Sequence, residues 1–192
     1  WALPSSLLAL REQGLRPDLV ILTDPGYYAA AHLHPGAGMD LEIAMPLSAA
    51  CAAWDIGAAV WPLSQGTFFE RALCSLRGLE PTLLPALGTV AASALALARL
   101  LGAPAVLMAG LDLSRRDIRL HVRPSVFDLY LEQGSGRLDP FLHRSFASAP
   151  RSNLALDTYA GWFAGLQAGP GPRLYRLLPS PVRLPAFIDL AP

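Results

Sequence analysis

The sequence predicts an α/β fold, a Rossmann-like, mostly parallel sheet flanked by helices in a single domain. Hydrophobic residues make up 53% of the 192 residues and charged residues 16%, which favours a packed core over a disordered chain. Short apolar runs alternate with helical patterns, as in α/β proteins. A helix, a short loop and an apolar strand also follow one another over 90–110, and this order is half of a βαβ unit with parallel strands.

The first half of the chain supplies six elements after an initial strand end. Leu3 ends that strand, and a helix begins after Pro4 or Ser5 and stops at Gly14, because proline favours a helix start and glycine a helix end. The pattern then predicts a buried strand over 18–23, a helix over 27–33, strands over 41–45 and 58–61, and a helix over 68–76.

The second half contains the clearest helix. Gly88 and Thr89 open an Ala/Leu helix over 90–101, and Gly102 closes it. A buried strand over 105–110 follows, with Asp112 just past its end. Further predicted elements are helices over 125–133 and 156–167 and a strand over 174–178. We assign 1–168 to the domain and 169–192 to a Pro/Gly-rich C-terminal extension.

Composition excludes several classes of function. All 15 basic residues are arginine, so Schiff-base chemistry, Walker-type phosphate loops and the protein-kinase lysine are ruled out. The 15 acidic residues balance them, which argues against a nucleic-acid partner. Cys51 and Cys74 have neither disulfide-framework nor zinc-ligand spacing, which favours a reduced, cytoplasmic protein with no metal site.

Two further expectations concern the chain as a whole. The apolar segment over 90–101 is too short to span a bilayer and is interrupted by Arg99. The first residue is Trp1, without the charged region or cleavage site of a signal peptide. We therefore expect no membrane span and a piece of a longer polypeptide.

Several polar residues follow predicted strands, where open parallel sheets bind ligands. Asp24 and Asp112 can hold a ribose hydroxyl or a metal-bound phosphate, and Gly110 permits close backbone approach. Both aspartates are equally compatible with ordinary turn roles. Ser5 and Ser6 can bind a phosphate at their helix start, or simply cap that helix.

Two other groups of residues suit nucleotide chemistry. Gly88 and Thr89 stand at a helix N-terminus, where free N–H groups and the helix dipole attract a phosphate, although an ordinary cap has the same sequence. His121 lies in a polar loop as a candidate general base, and Arg119 and Arg123 can stabilise leaving-group charge. The alternative for these three residues is a solvated loop.

Taken together, these segments resemble the MptE-like family, which includes 6-hydroxymethylpterin diphosphokinases and motility accessory factors that glycosylate flagellin. The resemblance covers roughly 3–163. It is carried by the sequences LPSSL over 3–7, PDLV over 17–20, TDPGY over 23–27, HL over 32–33, GTVA over 88–91, AL over 94–95, LG over 101–102, AGLDL over 109–113, His121 and YAGWF over 159–163.

One departure separates this chain from the family pattern. Family members carry a Gly-Pro-Ser-Leu loop after the first strand, and no such loop occurs here. The chain therefore looks as if it lacks the first βα unit of the family. The Gly-Thr helix and the strand that follows it are also similar, more loosely, to bacterial sialyltransferases that use a CMP-linked donor.

The resemblance implies a nucleotide-sugar-dependent glycosyltransferase-like domain that modifies flagellin or a surface glycan. Its donor would be a nucleotide-linked small molecule, with catalytic His121 and Asp24 and nucleotide contacts from Gly88, Thr89 and Asp112. Arg151, Asn153 and Tyr159 are similar to acceptor-side residues of the family, whereas Trp162 and Phe163 fit a core-facing helix stripe.

Two other readings stay open. A pterin-type diphosphokinase would use ATP and Mg²⁺, with Asp24 and Asp112 as the carboxylates beside the phosphates. A non-catalytic binding or assembly module would account for the missing Gly-rich loop and the apolar composition.

Overall fold

A computed structural model describes residues 1–49, 57–114, 122–140, 154–166, 171–178, 180 and 182–191. It is an α/β structure with parallel sheets and flanking helices, so the predicted fold class is confirmed. The contacts divide the chain into two compact units, one formed by 1–94 and 121–128 and the other by 95–120 and 129–192. The parallel strands among the described residues are divided between two sheets, one of four and one of three strands.

The four-stranded sheet lies in the first unit and is parallel throughout. Its strands are β1 (Val20–Ile21), β2 (Glu42–Pro46), β3 (Ala59–Ser64) and β4 (Thr82–Leu83), in the order β1-β2-β3-β4. Ala2 extends it by a parallel bridge to Val20. Since all strands run the same way, their carboxyl ends share one edge.

Within the part of the chain that the structure describes, six helices accompany the sheets. They are α1 (Leu7–Glu12), α2 (Tyr27–Leu33), α3 (Phe68–Arg77), α4 (Val90–Leu100), α5 (Val126–Gln133) and α6 (Leu154–Ala164), with short 3-10 turns at Pro4–Ser6 and His34–Gly36. The predicted helices over 27–33, 68–76, 90–101 and 125–133 are confirmed to within a residue at each end.

Local signals explain where α3 begins and ends. The hydroxyl of Thr67 accepts a hydrogen bond from the amide of Glu70 at 3.3 Å, which is the standard N-cap contact. Gly78 ends the helix in the left-handed region, at φ 61°, where glycine avoids the steric cost of a side chain.

The core of the first unit lies between its sheet and helices. Leu7 of α1, Leu33 of α2 and the strand residues Val20 and Ile43 are all fully buried. They pack in one cluster with Ala2, Leu22, Ala29, Leu41, Met45 and Ala49. The predicted buried strand over 18–23 is therefore confirmed in β1, and the predicted strand over 41–45 corresponds to β2.

The three-stranded sheet lies in the second unit and is also parallel. Its strands are β5 (Ala105–Met108), β6 (Arg173–Leu177) and β7 (Ile188–Leu190), in that order. The predicted strands over 105–110 and 174–178 correspond to β5 and β6, whereas β7 is not predicted. The Pro/Gly-rich stretch after residue 169 thus supplies two strands of this sheet.

The prediction that β5 is a buried strand is wrong. Ala105 and Leu107 are exposed, and Val106 and Met108 are half-buried. An apolar run indicates a strand, but it does not reveal whether both faces of that strand are covered.

Phe163 of α6 is fully buried and packs edge-to-face on Trp162, with ring centroids 4.8 Å apart. The predicted core role of Phe163 is confirmed.

Within the described residues, no helix is long and apolar enough to cross a membrane.

Candidate functional site

The carboxyl edge of the four-stranded sheet gathers several polar segments. Thr23 and Asp24 follow β1, Ser48 follows β2, Gln65 follows β3, and Gly88 and Thr89 follow β4. This edge is the usual ligand position in open parallel sheets. We refer to it as the carboxyl edge.

Asp24 is exposed, and its Oδ1 accepts a hydrogen bond from the amide of Gly26 at 2.8 Å. This contact is an Asx turn, which leads the chain into α2. Asp24 therefore has the turn role that the sequence offers as one of its alternatives. The contact uses only Oδ1, and since Oδ2 has no hydrogen-bond partner among the described residues, it can accept a hydrogen bond from a ligand hydroxyl.

A pair of buried hydroxyls joins the end of β1 to the start of α4. Thr23 Oγ1 lies 3.2 Å from Ser93 Oγ, and both residues are buried. Ser93 donates its own hydroxyl proton to the carbonyl of Thr89 at 3.4 Å, and its amide donates to the same carbonyl at 3.1 Å. These contacts bring Thr89 and Asp24, two of the predicted site residues, to neighbouring segments of the carboxyl edge.

The start of α4 has the backbone that an anion site needs. Gly88 adopts φ 76°, a conformation that side chains disfavour. Thr89 follows it, half-buried, and α4 then runs for 11 residues. The first amides of a helix have no carbonyl within the helix to pair with, and the helix dipole is positive there.

Glu70 is a buried carboxylate that the sequence does not identify. Its Oε1 accepts from Ser48 Oγ at 3.3 Å, and its Oε2 accepts from the amide of Gln65 at 2.8 Å and from Ser64 Oγ at 3.4 Å. Glu70 thus ties α3 to the segments that end β2 and β3. The only local sign is the Thr67-x-x-Glu70 spacing, which is typical of a helix N-terminus.

Gln65 continues this network to β1. Its Nε2 donates to the carbonyl of Thr23 at 3.2 Å, and since a carbonyl only accepts, this contact fixes which way the amide points. Gln65 is half-buried, and its Oε1 has no hydrogen-bond partner among the described residues. Hydrogen bonds therefore run along the carboxyl edge from Ser48 through Glu70, Gln65 and Thr23 to α4.

Ser5 and Ser6 do not cap a helix. Leu3 occupies the N-cap position of the 3-10 turn, and Ser6 that of α1, without a side-chain capping bond. Ser6 Oγ instead donates to the carbonyl of Leu3 at 2.8 Å. Of the two roles that the sequence leaves open for these serines, the side-chain N-cap is therefore not present, because the Ser6 hydroxyl is used inside the turn that precedes α1.

Gly110 and Asp112 lie in the second unit, beyond β5 of the other sheet. Gly110 adopts φ 74° and Leu113 φ 52°. The backbone carbonyl of Asp112 accepts from Ser180 Oγ at 3.2 Å. Asp112 therefore follows a strand as predicted, but β1 and β5 belong to different sheets.

Arg123 and Tyr159 are the last two predicted site residues that lie within the described part of the chain. Arg123 Nε lies 3.6 Å from Asp128 Oδ2, and Asp128 and Ser125 also exchange hydrogen bonds at the start of α5. Arg123 is thus engaged with a carboxylate of its own chain. Tyr159 is half-buried on α6.

The other four predicted residues are His121, Arg119, Arg151 and Asn153, and they lie outside the described residues. Among the residues that are described, no group of three or more His, Cys, Asp or Glu side chains is arranged to hold a metal ion.

Comparison with known proteins gives a partial match. A protein of Treponema pallidum (strain Nichols), described only as an uncharacterized protein, is 30% identical over an alignment of 145 residues, and the match covers 69% of this chain and 37% of the relative. The chain therefore spans little more than a third of that relative's length. No family model and no solved structure matches the chain.

Proposed function

We propose that this chain is a nucleotide-binding α/β domain that serves a nucleotide-sugar-dependent glycosyl transfer. The observation that carries the proposal is the Thr23–Ser93 contact of 3.2 Å. It joins the end of β1, with its exposed Asp24, to the first turn of α4. A carboxylate for sugar hydroxyls and a helix start for phosphate then share one edge of a parallel sheet.

Each group at the carboxyl edge suits one part of a nucleotide. The amides at the start of α4, after Gly88 and Thr89, are the proposed phosphate contacts, which need no lysine. Oδ2 of Asp24 is the proposed acceptor for a ribose hydroxyl, while Oδ1 keeps the turn with Gly26. The proposed donor is a CMP-linked sugar acid, because the sequence is also similar, more loosely, to sialyltransferases that use a CMP-linked donor.

The proposed chemistry is displacement of the nucleoside monophosphate. The acceptor oxygen forms a bond to the anomeric carbon of the sugar as the bond from that carbon to the phosphate oxygen breaks, and the nucleotide leaves with the electron pair. His121 is the proposed base that takes the acceptor proton, and Arg119 is proposed to stabilise the departing phosphate. A protein such as flagellin is the proposed acceptor.

Calorimetric titration of CMP, UDP and ATP, each with and without Mg²⁺, tests the proposal. We expect CMP to bind without Mg²⁺. We expect Asp24→Ala to weaken CMP binding by about tenfold or more, because a hydrogen bond to a charged group is lost. Asp24→Asn keeps a side-chain oxygen that can accept the Gly26 hydrogen bond but removes the negative charge. This variant therefore distinguishes the effect of losing the turn from the effect of losing the charge.

A matched control lies at the other end of the same strand. Asp18 is exposed and precedes β1, whereas Asp24 follows it, so Asp18→Ala should leave CMP binding unchanged. Absence of binding by any CMP-type nucleotide would refute the proposal. Binding of ATP that requires Mg²⁺ would favour the diphosphokinase instead.

A further inference from the structure

We propose that the outer face of α3 is the interface through which two copies of this chain form a dimer. Phe68, Phe69, Leu73 and Leu76 of α3 are 78%, 76%, 50% and 81% exposed, and Leu83 of β4 is 64% exposed. We call these five residues the α3 patch. Large apolar side chains exposed together in this way mark an interaction surface.

The α3 patch is continuous because of helix geometry. At 100° per residue, Phe68, Ala72, Leu76, Phe69 and Leu73 fall in sequence within one arc of about 140°. The buried members of the helix, Glu70 and Cys74, lie outside this arc. The helix therefore turns its polar Glu70 toward the protein and most of its apolar surface away from it, the reverse of an ordinary surface helix.

Leu83 extends the patch beyond the helix. Its Cδ1 lies 3.4 Å from the position that a Cβ would take on Gly66, and Gly66 directly precedes the N-cap of α3. Leu79, after the C-terminus of α3, is also exposed, and its amide is bonded to the carbonyl of Cys74 at 2.9 Å. Apolar surface thus continues from both ends of the helix.

The area of the patch matches what a stable dimer needs. With about 200 Å² for each phenylalanine and about 150 Å², the lower limit of the aromatic range, for each leucine, the five exposed fractions amount to roughly 600 Å². A standard interface buries about 800 Å² on each partner, and about 65% of a homodimer interface is apolar. The exposed area of the α3 patch therefore equals or exceeds the apolar area that one partner contributes to a standard homodimer interface.

A second copy is the occupant that the remaining observations favour. A two-fold interface uses the same patch on both partners, so no further apolar surface is required. The formal net charge is zero, so two copies do not repel each other at long range. Beside the patch, Pro81 and Pro85 flank the two-residue edge strand β4, which disfavours strand addition and leaves side-chain packing as the mode of contact.

Sedimentation equilibrium of the 192-residue chain over a wide concentration range tests this inference. We expect the mass to rise from one to two copies with concentration. In Phe69→Arg/Leu76→Arg, the loss of four central apolar contacts per dimer should raise the dissociation constant at least about a thousandfold. Circular dichroism and thermal unfolding of the variant are measured to check that it stays folded.

A control replaces an apolar residue that is just as exposed but lies outside the patch. Leu138 is exposed in the second unit, and Leu138→Arg should dimerise like the wild type. A wild-type chain that stays monomeric at every concentration would overturn the inference, and so would a dimer that survives in the α3 double variant. Phe68→Arg/Leu73→Arg, with the same predicted loss, serves as a second variant if the first does not fold.

Discussion

Replacement of Asp189 by alanine is expected to destabilise the second unit more than any surface substitution in it. Arg176 of β6 is fully buried. Its Nε donates to Asp189 Oδ1 at 2.9 Å, and its Nη2 donates to Oδ2 at 3.0 Å. Asp189→Ala removes both acceptors and leaves the guanidinium buried without its counter-charge.

The expected cost follows from this geometry. Breaking a buried ion pair by removing one partner costs about 3–5 kcal/mol. The Asp189 side chain is 36% exposed, so water can partly replace it and the lower limit applies. Arg176 also keeps its bonds to Val182 O at 2.8 Å and Ser180 Oγ at 3.2 Å. We expect the free energy of unfolding to fall by about 3 kcal/mol, or about 6–12 °C in Tm.

A double-mutant cycle with Arg176→Met measures how much of this cost comes from the unpaired charge. Urea unfolding followed by circular dichroism gives the free energy for each variant. The double variant Arg176→Met/Asp189→Ala buries no charge, so it should be more stable than Asp189→Ala alone. Arg173 is exposed on the same strand, and Arg173→Met should change stability by less than about 0.5 kcal/mol.

Two results would contradict this account of the Arg176–Asp189 pair. If Asp189→Ala is as stable as the wild type, Arg176 does not depend on its carboxylate partner. If the double variant is less stable than Asp189→Ala, the cost comes from lost packing or from Ser180 and Val182, not from the unpaired charge.

Three further outcomes follow from the first unit and from α6. Glu70→Ala should lower the free energy of unfolding by about 2–3 kcal/mol in urea titrations, because the buried donors around Glu70 lose their acceptor; the exposed control Glu80→Ala should change nothing measurable. Phe163→Ala should cost about 3–5 kcal/mol by the same measurement, since a fully buried aromatic ring is replaced by a cavity, and a cost under 1 kcal/mol would contradict the packing described. Gly88→Ala should cost about 1–2 kcal/mol because φ is 76° there, and it should weaken CMP binding in calorimetry; unchanged stability and affinity would show that this turn tolerates a side chain.

The elements that the sequence predicts well are those with a local pattern. The helix between Gly88 and Gly102 contains its own start signal, apolar run and stop signal. The strands β4 (Thr82–Leu83) and β7 (Ile188–Leu190) have only two and three residues, too few for a period-2 pattern. They are strands because neighbouring strands pair with them, and that pairing is not visible in a local pattern.

The candidate site divides in the same way. Asp24 and Thr89 are predicted because each follows a strand or precedes a helix in the sequence itself. The contact between Thr23 and Ser93 joins positions 70 apart, and that between Gln65 and Thr23 joins positions 42 apart. Glu70 has the pattern of a solvated helix acid, and it is buried only because the ends of β2 and β3 supply its hydrogen-bond donors.

The arginines show why composition does not identify an anion site. In a chain without lysine, every basic side chain is a candidate for phosphate recognition. Arg176 is buried against Asp189, Arg123 lies 3.6 Å from Asp128, and Arg16 lies 3.4 Å from Asp40. These three are engaged by carboxylates of the chain itself, and a phosphate would have to displace those partners. If the first unit binds a nucleotide phosphate, the amides at the start of α4 can hold it without breaking an existing ion pair, and we assign the phosphate to them for that reason.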